Sequence, residues 1–242
     1  MTRWPESELS TCWLSSEKVR KRLRPSASGD LPIAHGTLMA PVLLVPGLVS
    51  AAALGWLTVL VMVGYFVVTS AYSLTFKRHI VVDICMLAVL YTTRIIAGSA
   101  ATGIPLSVWL LAFSIFFFFS LAALKRYAEL IDGVNSGKIK PHGRGYHVDD
   151  LPLIGTMTLA SGYVSVLVMA LYLNSPVVAK LYSNPTALWG VCLVLLYWIS
   201  RMVIVTHRGA MNDDPIVYAV KDRISQLCLV LIVGLGIAGV VL

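Results

Sequence analysis

Seven stretches of this chain are so apolar, and so long, that water is a poor solvent for them: Leu38 to Leu54, Trp56 to Phe76, Ile80 to Ala101, Leu106 to Leu124, Pro152 to Asn174, Ala187 to Thr206 and Ile224 to Leu242. Crossing about 30 Å of hydrocarbon at 1.5 Å per residue takes roughly 20 residues, with about 17 as the short limit. Inside lipid the backbone must satisfy its own hydrogen bonds, which a helix does. The expected fold is therefore all-α, a polytopic transmembrane helical bundle of about seven spans. Composition agrees: soluble domains carry about a quarter charged residues, whereas this chain has 13%, with 57% hydrophobic residues. Leu38 to Leu54 is the weakest run, being short and containing Pro41 and Pro46, which remove backbone donors.

If the runs alternate across the bilayer, four segments share one side: Met1 to Thr37, Lys77 to His79, Lys125 to Leu151 and His207 to Arg223. Sixteen of the 19 Lys and Arg residues lie in them, Lys180 is alone on the other side, and Arg94 and Arg201 fall within spans. Lys and Arg accumulate in cytoplasmic loops. The expected arrangement is an integral protein of a bacterial-type inner membrane, with a cytoplasmic N-terminal segment at 1–37, a transmembrane domain at 38–242 and an external C-terminus. No apolar run precedes the first span, so no cleavable signal peptide is expected. Cys12, Cys85, Cys192 and Cys228 lie far apart without CxxC spacing, which suggests neither a metal site nor a disulfide framework.

The acids follow the same pattern: eleven of the 12 lie in the cytoplasmic segments, and Asp83 lies just inside the third run from that side. A positive field there attracts anionic headgroups and phosphorylated substrates. Arg94 lies in the middle third of its run, where an unpaired guanidinium costs at least about 2.5 kcal/mol. Asp83, Leu87, Leu90, Tyr91 and Arg94 recur at spacings of three and four and so share one helical face. Such a face can bind a phosphate or pair charges across helices. Lys77 and Arg78 follow the second run, and Lys125 and Arg126 follow the fourth; snorkelling at helix ends is one account of both pairs. Glu129 lies on neighbouring helical positions to Lys125 and Arg126. A carboxylate among cations at a membrane mouth suits Mg²⁺ and a diphosphate together, because hard Mg²⁺ takes oxygen from a few carboxylates and from phosphate.

In the last cytoplasmic segment Asp214 precedes Pro215, as an N-cap precedes a proline at the first helical position. Asp213 and Asp222 remain as candidates for metal, ribose or Arg contacts. The segment from Lys125 to Leu151 contains Gly133, Gly137, Gly143 and Gly145 with His142, Arg144, Tyr146 and His147 between them. It reads as a flexible connector, or as a lid over a polar mouth.

Five stretches, in order, resemble the UbiA prenyltransferase superfamily: Lys21 to Gly29 (KRLRPSASG), Ala71 to Lys77 (AYSLTFK), Arg94 to Gly98 (RIIAG), Lys125 to Glu129 (KRYAE) and Asp222 to Ser225 (DRIS). They are most similar to its phosphoribosyl-transferring branch, the decaprenyl-phosphate phosphoribosyltransferases. The resemblance implies a nine-helix bundle and a transferase in which a Mg²⁺-bound diphosphate leaves as its carbon centre is attacked, with a long isoprenoid as one substrate. In the phosphoribosyl branch the donor is phosphoribosyl diphosphate and the acceptor a polyprenyl phosphate. The partners so implied are the lipid bilayer, an isoprenoid lipid and a diphosphate donor, with no nucleic acid. By the same resemblance Lys77, Arg94, Lys125 and Arg126 contact phosphates, Tyr72 and Asp83 line the site, and Glu129 and Asp222 supply metal ligands.

The resemblance has two gaps. Tyr72 and Lys77 are five residues apart, whereas four is common in the family. Family members also carry an Asn-Asp-x-x-Asp-x-x-x-Asp motif just before the RPSASG-type stretch, but Ser10 to Lys18 here contain only Glu17 among acids. The expected domain is thus partial, lacking the first two helices and the first Asp-rich motif. An inactive remnant or membrane scaffold is the alternative in another class, followed by a small-solute transporter.

Overall fold

The computed structural model describes residues 33–135, 145–176, 178, 182, 185–211 and 214–241. Among these every regular element is helical, and the chain divides into two compact units, Met1–Val63 and Gly64–Leu242. Helix α1 (Ile33–Leu54) gives way to α2 (Trp56–Leu74) at Gly55, which has a φ of 128° that side chains other than hydrogen rarely tolerate. The second unit continues with α3 (Val82–Thr102), α4 (Val108–Asn135), α5 (Leu151–Leu173), α6 (Trp189–His207), the short α7 (Pro215–Lys221) and α8 (Arg223–Val241). Single 3₁₀ turns at Phe76–Arg78, Val148–Asp150 and Pro185–Leu188 lead into α3, α5 and α6.

Among the described residues six helices are long and apolar enough to cross a membrane: Trp56–Leu74, Val82–Thr102, Val108–Asn135, Val148–Leu173, Thr186–His207 and Arg223–Val240. They correspond to the second through seventh runs. The first run lies within α1, a helix of 22 residues from Ile33 to Leu54. Lipid-facing side chains explain why Leu43, Leu57, Val108, Leu193 and Leu229 are exposed without a soluble protein's penalty.

Helix α4 differs most from expectation. Its 28 residues span about 42 Å, some 12 Å more than the hydrocarbon. Nothing between Lys125 and Ile131 breaks a helix, so the fourth run extends through the first part of the presumed connector. Lys125, Arg126 and Glu129 therefore stand on rigid helix, while residues 136–144, the centre of the supposed lid, lie outside the described residues.

Association of α4 with α5 and α6 rests on small residues, as is usual where lipid removes the hydrophobic drive between helices. Gly155, Thr158, Ser161, Gly162 and Ser165 are buried on α5. A Cβ on Gly155 would lie 3.1 Å from the Tyr127 ring, and one on Gly162 would lie 2.7 Å from Ile199 and 3.0 Å from the Ser120 hydroxyl. Ser120 also donates to the Thr158 carbonyl across the same interface, at 2.8 Å. Ile84, Ala123, Leu124, Leu130, Ile154 and Met202 close the core where α3, α4, α5 and α6 meet.

Candidate functional site

The ends of α2, α4 and α6, the starts of α3, α5 and α8, and all of α7 come together at one end of the second unit. The charged groups follow from that connectivity. In the first turn of α3, Asp83 is fully buried and takes three hydrogen bonds. Tyr72 at the end of α2 donates its hydroxyl at 2.6 Å, and Arg126 on α4 donates through Nη2 at 3.2 Å and through Nε in a short contact. Arg126 is only 2% exposed, and its Nη1 donates to both oxygens of Glu129 at 2.8 Å. Its charge is thus balanced by two carboxylates inside a low-dielectric wall, the condition under which a buried ion survives.

The turn between α2 and α3 is locked onto this cluster. Val81 sits at φ 65°, an unusual value for a β-branched residue, and its N–H donates to the Tyr146 hydroxyl at 3.0 Å. Tyr146 is buried, which pushes its phenol up from the usual range and keeps it neutral. Beside it Gly145 lies so close that a Cβ there would be 3.1 Å from the Arg78 carbonyl. The 3₁₀ turn carrying Lys77 and Arg78 is thereby pinned next to the Asp83–Arg126 cluster, with Lys77 exposed.

Two further ion pairs complete this end. Lys125 contacts Asp214 through Nζ and Oδ2, with side chains 38% and 28% exposed. Asp214 also caps α7, accepting the Ile216 N–H at 3.1 Å with Pro215 at the first position, as its sequence predicts. Asp222 receives Arg201 through two nitrogens at 2.7 and 3.1 Å, and the Ser225 N–H and hydroxyl at 2.9 and 2.8 Å. Burial alone would raise the Asp222 carboxyl; the Arg201 and Ser225 hydrogen bonds and the Arg201 charge overcome it and hold it below the usual carboxylate range. Tyr127 and His207 share a proton-bearing contact of 2.7 Å with their rings stacked.

Arg94 lies elsewhere. It is eleven residues beyond Asp83 on α3, about 16 Å along the axis, and the two do not share partners. Its guanidinium is exposed, lies 4.9 Å from the Tyr91 ring and 5.9 Å from the Tyr65 ring, and donates to the Tyr65 hydroxyl at 3.1 Å. Such stacking leaves part of the guanidinium fork facing outward.

Of the expected site residues, the fold brings Tyr72, Asp83, Arg126 and Glu129 into direct contact and places Lys77 and Lys125 at the same end. Asp222 instead pairs with Arg201 and Ser225, and Arg94 lies deeper on α3. Arg126 and Asp83 answer each other, the charge-pairing alternative for that face. Sequence reasoning named Tyr146 only as part of the connector and Asp222 as a candidate for metal, ribose or Arg contacts without its partner Arg201; it passed over Tyr65, the Tyr127–His207 contact and the Arg201–Asp222 pairing. A signal existed for the last, because Arg201 is itself a cation within an apolar run. No group of three or more His, Cys, Asp or Glu able to hold a metal ion occurs among the described residues. Both oxygens of Glu129 and both of Asp222 accept from arginines, so these two carboxylates do not by themselves fit a Mg²⁺ site. Asp213 and the stretch from Lys21 to Gly29 lie outside the described residues. Cys85, Cys192 and Cys228 are free thiols.

The sequence pattern of the UbiA prenyltransferase family matches residues 15–219. Among similar proteins, an uncharacterized Sinorhizobium fredii protein, y4nM, is 37% identical over 85% of this chain and 40% of its own length. The nodulation protein NoeC of Azorhizobium caulinodans is 36% identical over 86% of this chain and 68% of its own. Decaprenyl-phosphate phosphoribosyltransferase of Mycolicibacterium smegmatis is 30% identical over 88% and 68%. This chain thus spans two fifths of the first and about two thirds of the other two.

Proposed function

This chain belongs to the UbiA prenyltransferase family, and on that premise we propose that it transfers a group from a diphosphate donor to an acceptor, one of the two being an isoprenoid lipid, at the charged end of its helical bundle. The observation that carries this reading is the convergence of Lys77, Lys125, Arg126, Asp83, Tyr72 and Glu129 at one end of otherwise apolar helices. A departing diphosphate carries charge that lipid cannot solvate, and fixed cations in a low-dielectric wall stabilise it more than water would. Lys77 and Arg78 are exposed there, and Lys125 is held by a partly exposed pair with Asp214, which makes these the cations able to approach a phosphate. Arg126 stiffens the site through Asp83 and Glu129 and meets a substrate only if Glu129 turns away. Tyr72, hydrogen-bonded to Asp83, keeps that carboxylate in place. Arg94, deeper and stacked on tyrosines, is positioned for a second anionic group.

The finer substrate assignment rests on likeness. The decaprenyl-phosphate phosphoribosyltransferase of M. smegmatis supports phosphoribosyl diphosphate as donor and a polyprenyl phosphate as acceptor. Mg²⁺ enters this proposal as the donor's counter-ion, since the described carboxylates do not form a set for it. The concentration of Lys and Arg at the charged end supports a cytoplasmic orientation for that end, where soluble diphosphate donors are available.

The test is transfer itself. The chain in liposomes containing polyprenyl phosphate is given ¹⁴C-labelled phosphoribosyl diphosphate or prenyl diphosphate with Mg²⁺, and label is counted in the organic extract. Label in a new lipid product, separated by chromatography from unreacted donor, supports the assignment when it comes from the phosphoribosyl donor; a new product from the prenyl donor alone moves it to prenyl transfer. No new labelled product from either donor would sink the transferase reading.

A further inference from the structure

The turn between α2 and α3 carries Lys77 and Arg78, yet it has little burial of its own, since Lys77 through Val82 are all exposed. Short-range hydrogen bonds shape it: the Arg78 N–H to the Thr75 carbonyl at 3.4 Å, the His79 N–H to Phe76 at 3.1 Å and the Val82 N–H to Ile80 at 2.7 Å. The last closes a three-residue turn centred on Val81, at φ 65° and ψ −44°. This is the rare, strained form of the γ-turn, and a β-branched residue is an outlier there. We propose that Tyr146 is a positioning residue for the diphosphate donor: its hydroxyl holds this turn closed and so fixes where Lys77 stands beside the Asp83–Arg126 cluster. The proposal rests on the transferase reading for the ligand that Lys77 meets, and on three observations for the role of Tyr146.

The first is the hydrogen bond itself. In so tight a bend the Val81 N–H has no local acceptor, and it finds one 65 residues along the chain, in the Tyr146 hydroxyl at 3.0 Å. Without that oxygen the N–H turns to water, and the strained bend relaxes toward a commoner geometry.

The second is the firmness of the anchor. Tyr146 is 3% exposed and belongs to the same buried core as Ile84, Leu130 and Ile154 of α3, α4 and α5. On its far side the His147 N–H donates to the Asp150 carboxylate at 2.8 Å, at the 3₁₀ turn that leads into α5. On its near side Gly145 packs so tightly that a Cβ would lie 3.0 Å from the Ile80 side chain and 3.1 Å from the Arg78 carbonyl. Gly145 and Tyr146 therefore meet the turn at Arg78, Ile80 and Val81 from a base rooted in the core. The turn is the softer of the two, so it takes its shape from the anchor.

The third is what the turn connects. The Asp83 N–H donates to the His79 carbonyl at 3.1 Å and the Cys85 N–H to the Val81 carbonyl at 2.9 Å, so the bend runs directly into the first turn of α3. Asp83 is fixed there by Tyr72 and Arg126. Between that fixed point and Lys77, the hydrogen bond to Tyr146 is the one tertiary hydrogen bond among the described residues. A cation displaced by about 1 Å from a reacting ligand can cost about 10²-fold in rate. Electrostatics needs only a lysine near the donor; precise placement needs Tyr146.

The experiment follows acylation of Lys77 by a water-soluble N-hydroxysuccinimide ester, read by peptide mass spectrometry on the full chain in nanodiscs, with inorganic pyrophosphate and Mg²⁺ as the probe. Pyrophosphate should protect Lys77 in the parent. Tyr146→Phe keeps the ring and loses only the oxygen, so half-protection should need about tenfold more pyrophosphate, the scale of one hydrogen bond. Hydrogen exchange should quicken in peptides covering residues 76–83 and stay unchanged elsewhere. Gly145→Ala, whose new Cβ presses on the Arg78 carbonyl, should act likewise. Gly162→Ala loosens the α5–α6 contact instead and should leave half-protection at the parent's concentration. An unchanged half-protection in Tyr146→Phe, or an equal shift in Gly162→Ala, would overturn the positioning role. So would a parent in which pyrophosphate never shields Lys77. Protection that depends on Tyr146 in a chain that transfers nothing would leave this role standing and sink the transferase reading alone.

Discussion

Replacing Asp83 by Asn tests whether the charged end is built around a buried, mutually neutralised cluster. Asp83 is fully buried and Arg126 is 2% exposed, so the substitution removes a charge that cannot be replaced by water. Breaking a buried pair by removing one partner costs about 3–5 kcal/mol. Arg126 keeps its two bonds to Glu129, and an Asn at 83 still accepts from Tyr72, which places the expected loss at the low end, about 3 kcal/mol. For a domain of this size each kcal/mol moves the thermal midpoint about 2–4 °C, so tryptophan fluorescence in a fixed detergent should report a midpoint lower by about 6–12 °C. The double variant Asp83→Asn with Arg126→Met should recover part of that loss, because the uncompensated guanidinium is gone. A single variant within about 2 °C of the parent, or a double variant worse than the sum of the two singles, would refute this reasoning.

Gly162→Leu should disrupt the α5–α6 contact, since even a Cβ would lie 2.7 Å from Ile199; a loss of about 1–3 kcal/mol is expected, read as a lower midpoint and a broader size-exclusion peak. Asp222 has a depressed pKa, so its contribution to stability is complete above the ordinary carboxylate range and fades as pH falls through its own lower value. Asp222→Asn should therefore flatten the acid limb of the midpoint-versus-pH curve, and an unchanged limb counts against the Arg201 pairing. Arg94→Ala should lower lipid-product formation at least about tenfold, the scale of one lost hydrogen bond to a charged group, while shifting the midpoint little. A normal rate would leave Arg94 with a packing role.

The membrane fold was legible because hydrophobicity at a length near 20 residues has few other meanings in a chain this poor in charge. The gathering of ionisable groups was legible for a related reason: charges excluded from hydrocarbon must collect at helix ends, and alternating spans bring those ends together. Partner choice was less visible. Asp83 and Arg94 share a helical face, yet Asp83 is joined to Arg126 because the end of α4 projects beyond the apolar run and reaches it. That projection depended on helix continuing from Lys125 to Asn135, which a reading by hydrophobicity cuts at Leu124. Tyr146 as acceptor for the Val81 N–H could not be read from sequence, since it depends on a backbone turn at φ 65°.

Counting diphosphate and lipid product in the same vessel tests transfer most directly. With phosphoribosyl diphosphate, polyprenyl phosphate and Mg²⁺ supplied to the reconstituted chain, released diphosphate and phosphoribosylated lipid should rise together in equal amounts, and Lys125→Ala should slow both alike. Diphosphate appearing without a lipid product, or neither appearing, would contradict a transferase centred on this cationic mouth.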